Sequence, residues 1–312
     1  MMAAATRNPI ANLFIVGAPK CGTTAWVEYL RTHPDIFFPN SKEDCYFATD
    51  LPNFRFAHSE AEYAKLFAGR GNERIVGEAS AMYLFSGAAA DAIRRYNPEA
   101  KILIFLREQE EFLPSLHNQF LREFSEETED FEAAWRMSGH RPPKTVPPAC
   151  LEPRTLDYAA MGRFDEQVER YLAAFPRDQV LVTYFADWIA DPRQTYLAIL
   201  GFLGVDDDGR REFPQVNRGV TYRSRRLVRS IMFPPNWARK AARLFKRVTR
   251  LQGETIYPVV HKIIGLLSAP GYQRQISRRL RDEIRRHYRD SNRRLNELLR
   301  DPRAVRGTIP PE

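Results

Sequence analysis

Apolar positions along the first part of the chain alternate between two rhythms. Short continuous runs at 12–16, 75–76, 101–106 (KILIFL) and 180–185 (VLVTYF) predict buried strands. Between them apolar residues recur every three or four positions, the spacing of a helix with one buried face. Trp26, Val27, Tyr29 and Leu30 mark such a helix over 24–31, stopping before His33-Pro34. Ser86 is placed to cap a second, which runs to Tyr96 and is closed by Asn97-Pro98. A third is predicted over 112–124, and Met161, Phe164, Val168, Tyr171, Leu172 and Phe175 mark a fourth. Asp191-Pro192 starts a fifth, with Asp as N-cap and Pro in the first turn; it carries Tyr196, Ile199, Leu200 and Leu203 and ends near Gly204. Strands alternating with helices predict an α/β fold, a three-layer domain whose central parallel sheet is flanked by helices on both faces.

The interval 125–155 breaks this alternation. It holds Pro142-Pro143 and Pro147-Pro148 with little periodicity, the composition of a lid or mobile loop. At the other end, 275–300 predicts one basic amphipathic helix, with Ile276, Leu280, Ile284, Tyr288, Leu295, Leu298 and Leu299 on its packing side. A single domain over 1–312 is expected, with a core at 12–124, the Pro-rich lid or insertion at 125–155, further core at 156–209, and a basic helical C-terminal portion at 210–312.

Composition narrows the class. Of 312 residues, 44% are apolar and 28% charged, the balance of a soluble protein whose core needs no disulfide or metal staple. No apolar run approaches the ~20 residues that cross a bilayer, and Leu13–Val16 is too short for an export signal, so a cytoplasmic location is expected. Cys21, Cys45 and Cys150 fit neither a zinc spacing nor a disulfide framework, which again points to a reducing compartment and to no metal site. The net charge of +8 is unevenly placed. Residues 210–250 hold 13 basic residues against one acidic, Glu212, leaving the rest of the chain net acidic. Such a segment suits an anionic ligand, a membrane surface or nucleic acid, or is simply a solvated helical face.

The sharpest chemical signal is Gly17-Ala18-Pro19-Lys20-Cys21-Gly22-Thr23-Thr24, between the first strand and the first helix. Gly17 and Gly22 have the G-x-x-x-x-G spacing of a P-loop-like phosphate site. Glycines let the backbone curl until its N–H groups converge on an anion, and the helix N-terminus adds partial positive charge. The departures from nucleotide-triphosphatase loops matter as much. Lysine precedes the second glycine, at Lys20, and Thr23 follows it. The strand KILIFL ends in Arg107, with no aspartate to support Mg²⁺. A phosphate bound without a metal is the expectation.

The loop residues Pro19, Lys20, Cys21, Gly22, Thr23 and Thr24 resemble the 5′-phosphosulfate-binding loop of sulfotransferases that use 3′-phosphoadenosine-5′-phosphosulfate (PAPS). Lys42-Glu43-Asp44-Cys45-Tyr46-Phe47 resembles the K-E-x-H-[FY]-F segment of the heparan-type and bacterial members. Gly77-Glu78 through Tyr83-Leu84-Phe85 resembles their G-E-K-[TS]-P-x-Y-[LF], and Leu106-Arg107 with Ser115 resembles the strand–loop–helix that grips the 3′-phosphate. The resemblance covers 12–121 well and 157–205 less closely.

It implies sulfuryl transfer from PAPS to an acceptor hydroxyl or amine. Lys20 is then expected at the leaving oxygen and Glu43 as the base, a role a glutamate fills when partial burial brings its pKa toward neutrality. Arg107 and Ser115 are expected on the 3′-phosphate, joined by Arg218 and Arg225 from a late, loosely similar loop. Cys45 stands in place of histidine, Ala48 in place of an aspartate common in glycan enzymes, and Ala79 in place of a lysine for which Lys42 is a candidate substitute. The expected acceptor is a small molecule, a carbohydrate or a glycolipid, with contact to an anionic membrane through 225–250 as a further partner. Among the histidines, His33 reads as a turn residue, His58 as exposed, and His117 as facing the site or lying on a surface helix. Two other classes compete: a phosphate-loop kinase or NTPase, against which the displaced lysine argues, and a non-catalytic protein binding nucleic acid or membrane, with nucleic acid disfavoured by the intact loop.

Overall fold

A computed structural model of the protein describes residues 9–216, 220–233, 265–270 and 276–300. In chain order these form β1 (Leu13–Gly17), α1 (Thr23–Arg31), β2 (Ile36–Phe37), α2 (Glu60–Lys65), β3 (Ile75–Ala79), α3 (Ala89–Tyr96), β4 (Lys101–Leu106) and α4 (Gln109–Arg122). They continue with α5 (Phe131–Arg136), α6 (Tyr158–Met161), α7 (Phe164–Ala174), β5 (Val180–Tyr184), α8 (Phe185–Ala190) and α9 (Pro192–Leu203). Last come β6 (Val220–Tyr222), α10 (Arg225–Met232), β7 (Ser268–Pro270), α11 (Arg278–His287) and α12 (Arg289–Arg300).

The central sheet has the order β2-β3-β1-β4-β5, and every pairing in it is parallel. Its middle strand is β1, all five of whose residues are buried, which is why that stretch is apolar without alternation. After β3 the chain crosses to the other side of β1 to lay down β4. The C-terminal end of β1 therefore lies where the strand order changes direction, the place where open parallel sheets form ligand crevices. Trp26 of α1 stacks on Phe105 of β4 with ring centroids 5.6 Å apart, fixing that helix over the sheet.

Local capping agrees with the sequence. Ser86 Oγ accepts from the N–H of Ala88 and Ala89 at the start of α3 (3.2 and 3.1 Å). Asp191 accepts from Gln194 N–H at the start of α9 (2.9 Å), and Gly204 ends that helix in the left-handed region.

The Pro-rich interval carries structure that its composition hides. It contains α5, whose Phe131, Ala134 and Trp135 are buried. It is anchored by a bidentate pair between Arg141 and Glu126 (2.6 and 3.2 Å), both buried, and Tyr158 donates to the same carboxylate (3.2 Å).

The tail differs from the single helix expected. It forms two, α11 and α12, which meet at Tyr288. That ring is buried, and its hydroxyl bonds the carbonyls of Tyr158 and Ala159 (3.0 and 2.9 Å), so the break lets Leu280, Ile284, Leu295 and Leu299 all reach the core. Among the described residues no helix is long and apolar enough to cross a membrane. Arg218 and the predicted basic segment from 234 lie outside the described residues.

Candidate active site

The loop after β1 is shaped by two glycines that cannot be replaced without movement. Gly17 has φ +146°, and a Cβ there would lie 2.6 Å from the Ala81 carbonyl oxygen. Gly22 has φ +88°, and a Cβ there would lie 2.5 Å from Cζ2 of Trp188. Between them Lys20 adopts φ +63°, while Cys21 turns inward and is fully buried. Burial pushes the Cys21 thiol up to about 12, so it takes part through its backbone and not as a thiolate. Gly22 caps α1 without a side-chain bond and the first turn holds no acidic residue, which leaves the amides of that turn open to an anion.

Lys20 is half-buried and makes no hydrogen bond or ion pair among the described residues. Burial lowers its pKa most, followed by the positive charge of Arg122, with Arg107 adding to the effect and Glu123 opposing it. Three cations thus lie close enough to act on one another at the loop. An ammonium without a partner among the described residues, beside two arginines, suits an anionic phosphate group.

Glu43 enters from the other side. It sits at φ +66°, its N–H donating to the Ala79 carbonyl (2.8 Å). One carboxylate oxygen accepts from Ala81 N–H (2.8 Å) and the other pairs with Lys42 Nζ (3.0 Å). Lys42 Nζ in turn donates to Thr24 Oγ1 (2.7 Å). The chain Thr24–Lys42–Glu43 therefore ties the carboxylate to the loop, and it brings a lysine to the loop although Ala79 stands where one is missing.

Beneath Glu43 lies a support that the sequence did not announce. Cys45, also at positive φ, donates its N–H to Ser80 Oγ (3.0 Å), and Ser80 donates to Glu78 Oε1 (2.6 Å). Glu78 is 2% exposed, and burial pushes its carboxyl up to about 8 against the hydrogen bond from Ser80. Its Oε2 has no hydrogen-bond partner among the described residues, an arrangement that suits a neutral acid better than a carboxylate. The folded-state pKa thus lies above the unfolded value of 4.5, so Glu78 contributes stability below pH 4.5 that is lost as pH rises toward 8. Urea unfolding of the wild type and of Glu78→Gln across that window should show the wild type losing stability relative to the variant, with a slope difference of up to about 1.4 kcal/mol per pH unit. Parallel curves would mean that the acid is ionised throughout.

Arg107 leaves the end of β4 with its guanidinium over the Phe185 ring (4.4 Å from the centroid) and Nε bonded to Glu111 (3.1 Å). Ser115 lies on α4 and is buried. Arg122, on the same helix, is seven residues further on, two turns along the same face. That spacing was the available signal for Arg122, which sequence reading missed. Arg225 caps the end of α4, donating to the carbonyls of Leu121 (3.0 Å) and Glu126.

The histidine expectations divide. His33 bonds the Asp206 carbonyl (2.9 Å) and receives Asp35 N–H (3.1 Å), a turn role. His58 is exposed. His117 neither lies on the surface nor faces the site. It is 2% exposed and its Nε2 meets the Thr128 carbonyl (2.8 Å), because α5 folds over that helix face and Phe131 packs on the ring. Among the described residues no group of three or more His, Cys, Asp and Glu could hold a metal ion.

A family model described as "Sulfotransferase domain" matches residues 11–217, the span that holds the sheet, the loop and both candidate phosphate arms.

The chain belongs to the sulfotransferase family.

This is a family of group-transfer enzymes, and known members resemble the chain to different extents. A solved sulfotransferase from Alicyclobacillus acidocaldarius shares 34% identity at a TM-score of 0.58, over 68% of this chain and 87% of that one. Carbohydrate sulfotransferase 15 of Rattus norvegicus is 23% identical over 253 residues, 63% of this chain and 44% of that protein. The membrane-associated sulfotransferase kil1 of Dictyostelium discoideum is 30% identical over 102 residues, 32% of this chain and 21% of that protein. The chain spans under half the length of these curated relatives.

In this family member Trp188 is the second residue that motif reading missed. It comes from α8, far from the loop in sequence, and its indole backs Gly22. Gly22→Ala places a methyl group against that ring at a backbone angle that L residues rarely adopt. A loss of about 1–3 kcal/mol in unfolding free energy is expected, together with weakened anion binding, measured by thermal unfolding and by calorimetry with 3′,5′-adenosine bisphosphate. An unchanged variant would show that the loop is not pinned between Trp188 and the sheet.

Proposed function

We propose that the protein transfers a sulfuryl group from PAPS to a hydroxyl on a carbohydrate or glycolipid acceptor. The observation that carries this reading is the Lys20 ammonium, without a partner among the described residues, on a glycine-bounded loop, with Glu43 tied to the same loop through Lys42 and Thr24. PAPS supplies the sulfuryl group and a bisphosphate leaving group.

The backbone of Pro19 to Thr24 and the first turn of α1 hold the 5′-phosphate. Lys20 meets the charge that develops on the oxygen leaving sulfur, where a preorganised cation acts most strongly. Arg107 and Ser115 bind the 3′-phosphate, by a charge-assisted and a neutral hydrogen bond respectively. Arg122 adds positive charge beside Lys20, and Arg225 holds the end of the helix that presents Ser115 and Arg122. Glu43 takes the proton of the acceptor hydroxyl as its oxygen bonds sulfur. The carboxylate is already oriented by Ala81 N–H and Lys42, so little reorganisation precedes the step.

A carbohydrate or glycolipid acceptor is favoured by the Lys42-Glu43 segment and by the named activity of the rat relative. Incubation with sulfur-labelled PAPS and a panel of glycan, glycolipid and phenolic acceptors tests it. Label entering glycan hydroxyls in chelator-treated buffer is the expected result. Label entering phenols alone would overturn the acceptor class, and no label in any acceptor would overturn the reaction.

A further inference from the structure

Beside the candidate site the molecule presents a surface that the transfer reaction does not use. Leu227, Met232 and Phe233, on and just past α10, are 48%, 44% and 41% exposed, and Leu266 is 72% exposed. Leu266 precedes Leu267, whose carbonyl accepts from Arg223 N–H (2.7 Å), so these side chains surround one unit of helix and paired strands. Arg223, Arg226 and Arg229 stand exposed among them. Arg229 pairs with Glu127 (2.6 Å), whereas the side chains of Arg223 and Arg226 make no ion pair among the described residues. From 213 to 253 the chain has eleven Lys and Arg and no Asp or Glu.

We propose that this face docks on an anionic lipid surface. The mixture selects that partner. Leucine and phenylalanine side chains gain nothing from a nucleic-acid backbone, and unpaired arginines gain nothing from an apolar protein groove. The boundary of an anionic bilayer takes both, with the apolar groups at the acyl edge and the guanidiniums among the phosphates. The position of the face gives the contact a consequence. Tyr222 stacks on Phe124 (centroids 6.2 Å apart), Phe233 meets the same ring edge-on (5.7 Å), and Arg225 bonds the carbonyls of Leu121 and Glu126. The docking unit is thereby fixed to the end of α4, the helix of Ser115 and Arg122, and a docked molecule holds its candidate site next to the lipid surface.

Co-sedimentation of the full chain with vesicles, without PAPS, tests this independently of the transfer reaction. Binding is expected to vesicles of phosphatidylcholine doped with phosphatidylglycerol and not to phosphatidylcholine alone, and it should weaken as salt is raised. Arg226→Gln should lower the partition coefficient about fivefold, and Leu227→Ser combined with Leu266→Ser about tenfold. All three positions are exposed, so the unfolding temperature should hold. Equal binding to both vesicle types, binding to neither, full retention by the variants, or preferential capture by duplex DNA in competition would each overturn the proposal.

Discussion

Lys20→Ala is expected to lower turnover with PAPS by ~10²–10³-fold, the usual consequence of removing one preorganised donor from a developing oxyanion. Folding should not suffer. The side chain has no hydrogen-bond or ion-pair partner among the described residues, and its neighbours Arg107 and Arg122 repel it. Removing the ammonium relieves that repulsion as well as the desolvation that lowers its pKa. A steady-state assay paired with thermal unfolding separates the two effects. Turnover close to wild type in a folded Lys20→Ala protein would show that another group carries the leaving-oxygen charge.

Glu43→Gln is expected to lower turnover by ~10²–10⁴-fold, the range for losing a positioned general base. The glutamine amide is nearly isosteric, and its oxygen can still accept from Ala81 N–H, so the loop at positive φ should be retained. The informative readout is the split between kcat, which should fall, and bisphosphate affinity, which should change little. Full activity would place the base elsewhere in the site.

Much of this was legible in the sequence, for physical reasons that also explain what was not. Four of the five strands of the central sheet read correctly because a parallel sheet buried on both faces leaves continuous apolar runs, whereas β2, two residues long, leaves no such run. The bend between β1 and α1 was legible because Gly17 and Gly22 answer a backbone demand that only glycine meets easily. Arg122 and Trp188 escaped because they act at a distance in sequence. One comes from two helical turns past Ser115 and the other from the helix after β5. The Ser80–Glu78 support escaped because a glutamate beside an apolar run carries no mark of whether it points inward. His117 was misplaced because α5, whose short span shows little periodicity, covers the face on which it lies. The tail was drawn as one helix because its apolar spacing continues through Tyr288, whereas the ring turns inward there to bond two carbonyls.

The cluster of Lys20, Arg107, Ser115 and the loop amides is expected to bind a nucleotide that carries phosphate at both the 3′ and 5′ positions. Calorimetry with 3′,5′-adenosine bisphosphate in metal-free buffer, beside ATP with and without Mg²⁺, tests that most directly. Metal-independent binding of the bisphosphate, abolished by Arg107→Ala, is the predicted result. Absence of bisphosphate binding together with Mg²⁺-dependent binding of ATP would contradict it.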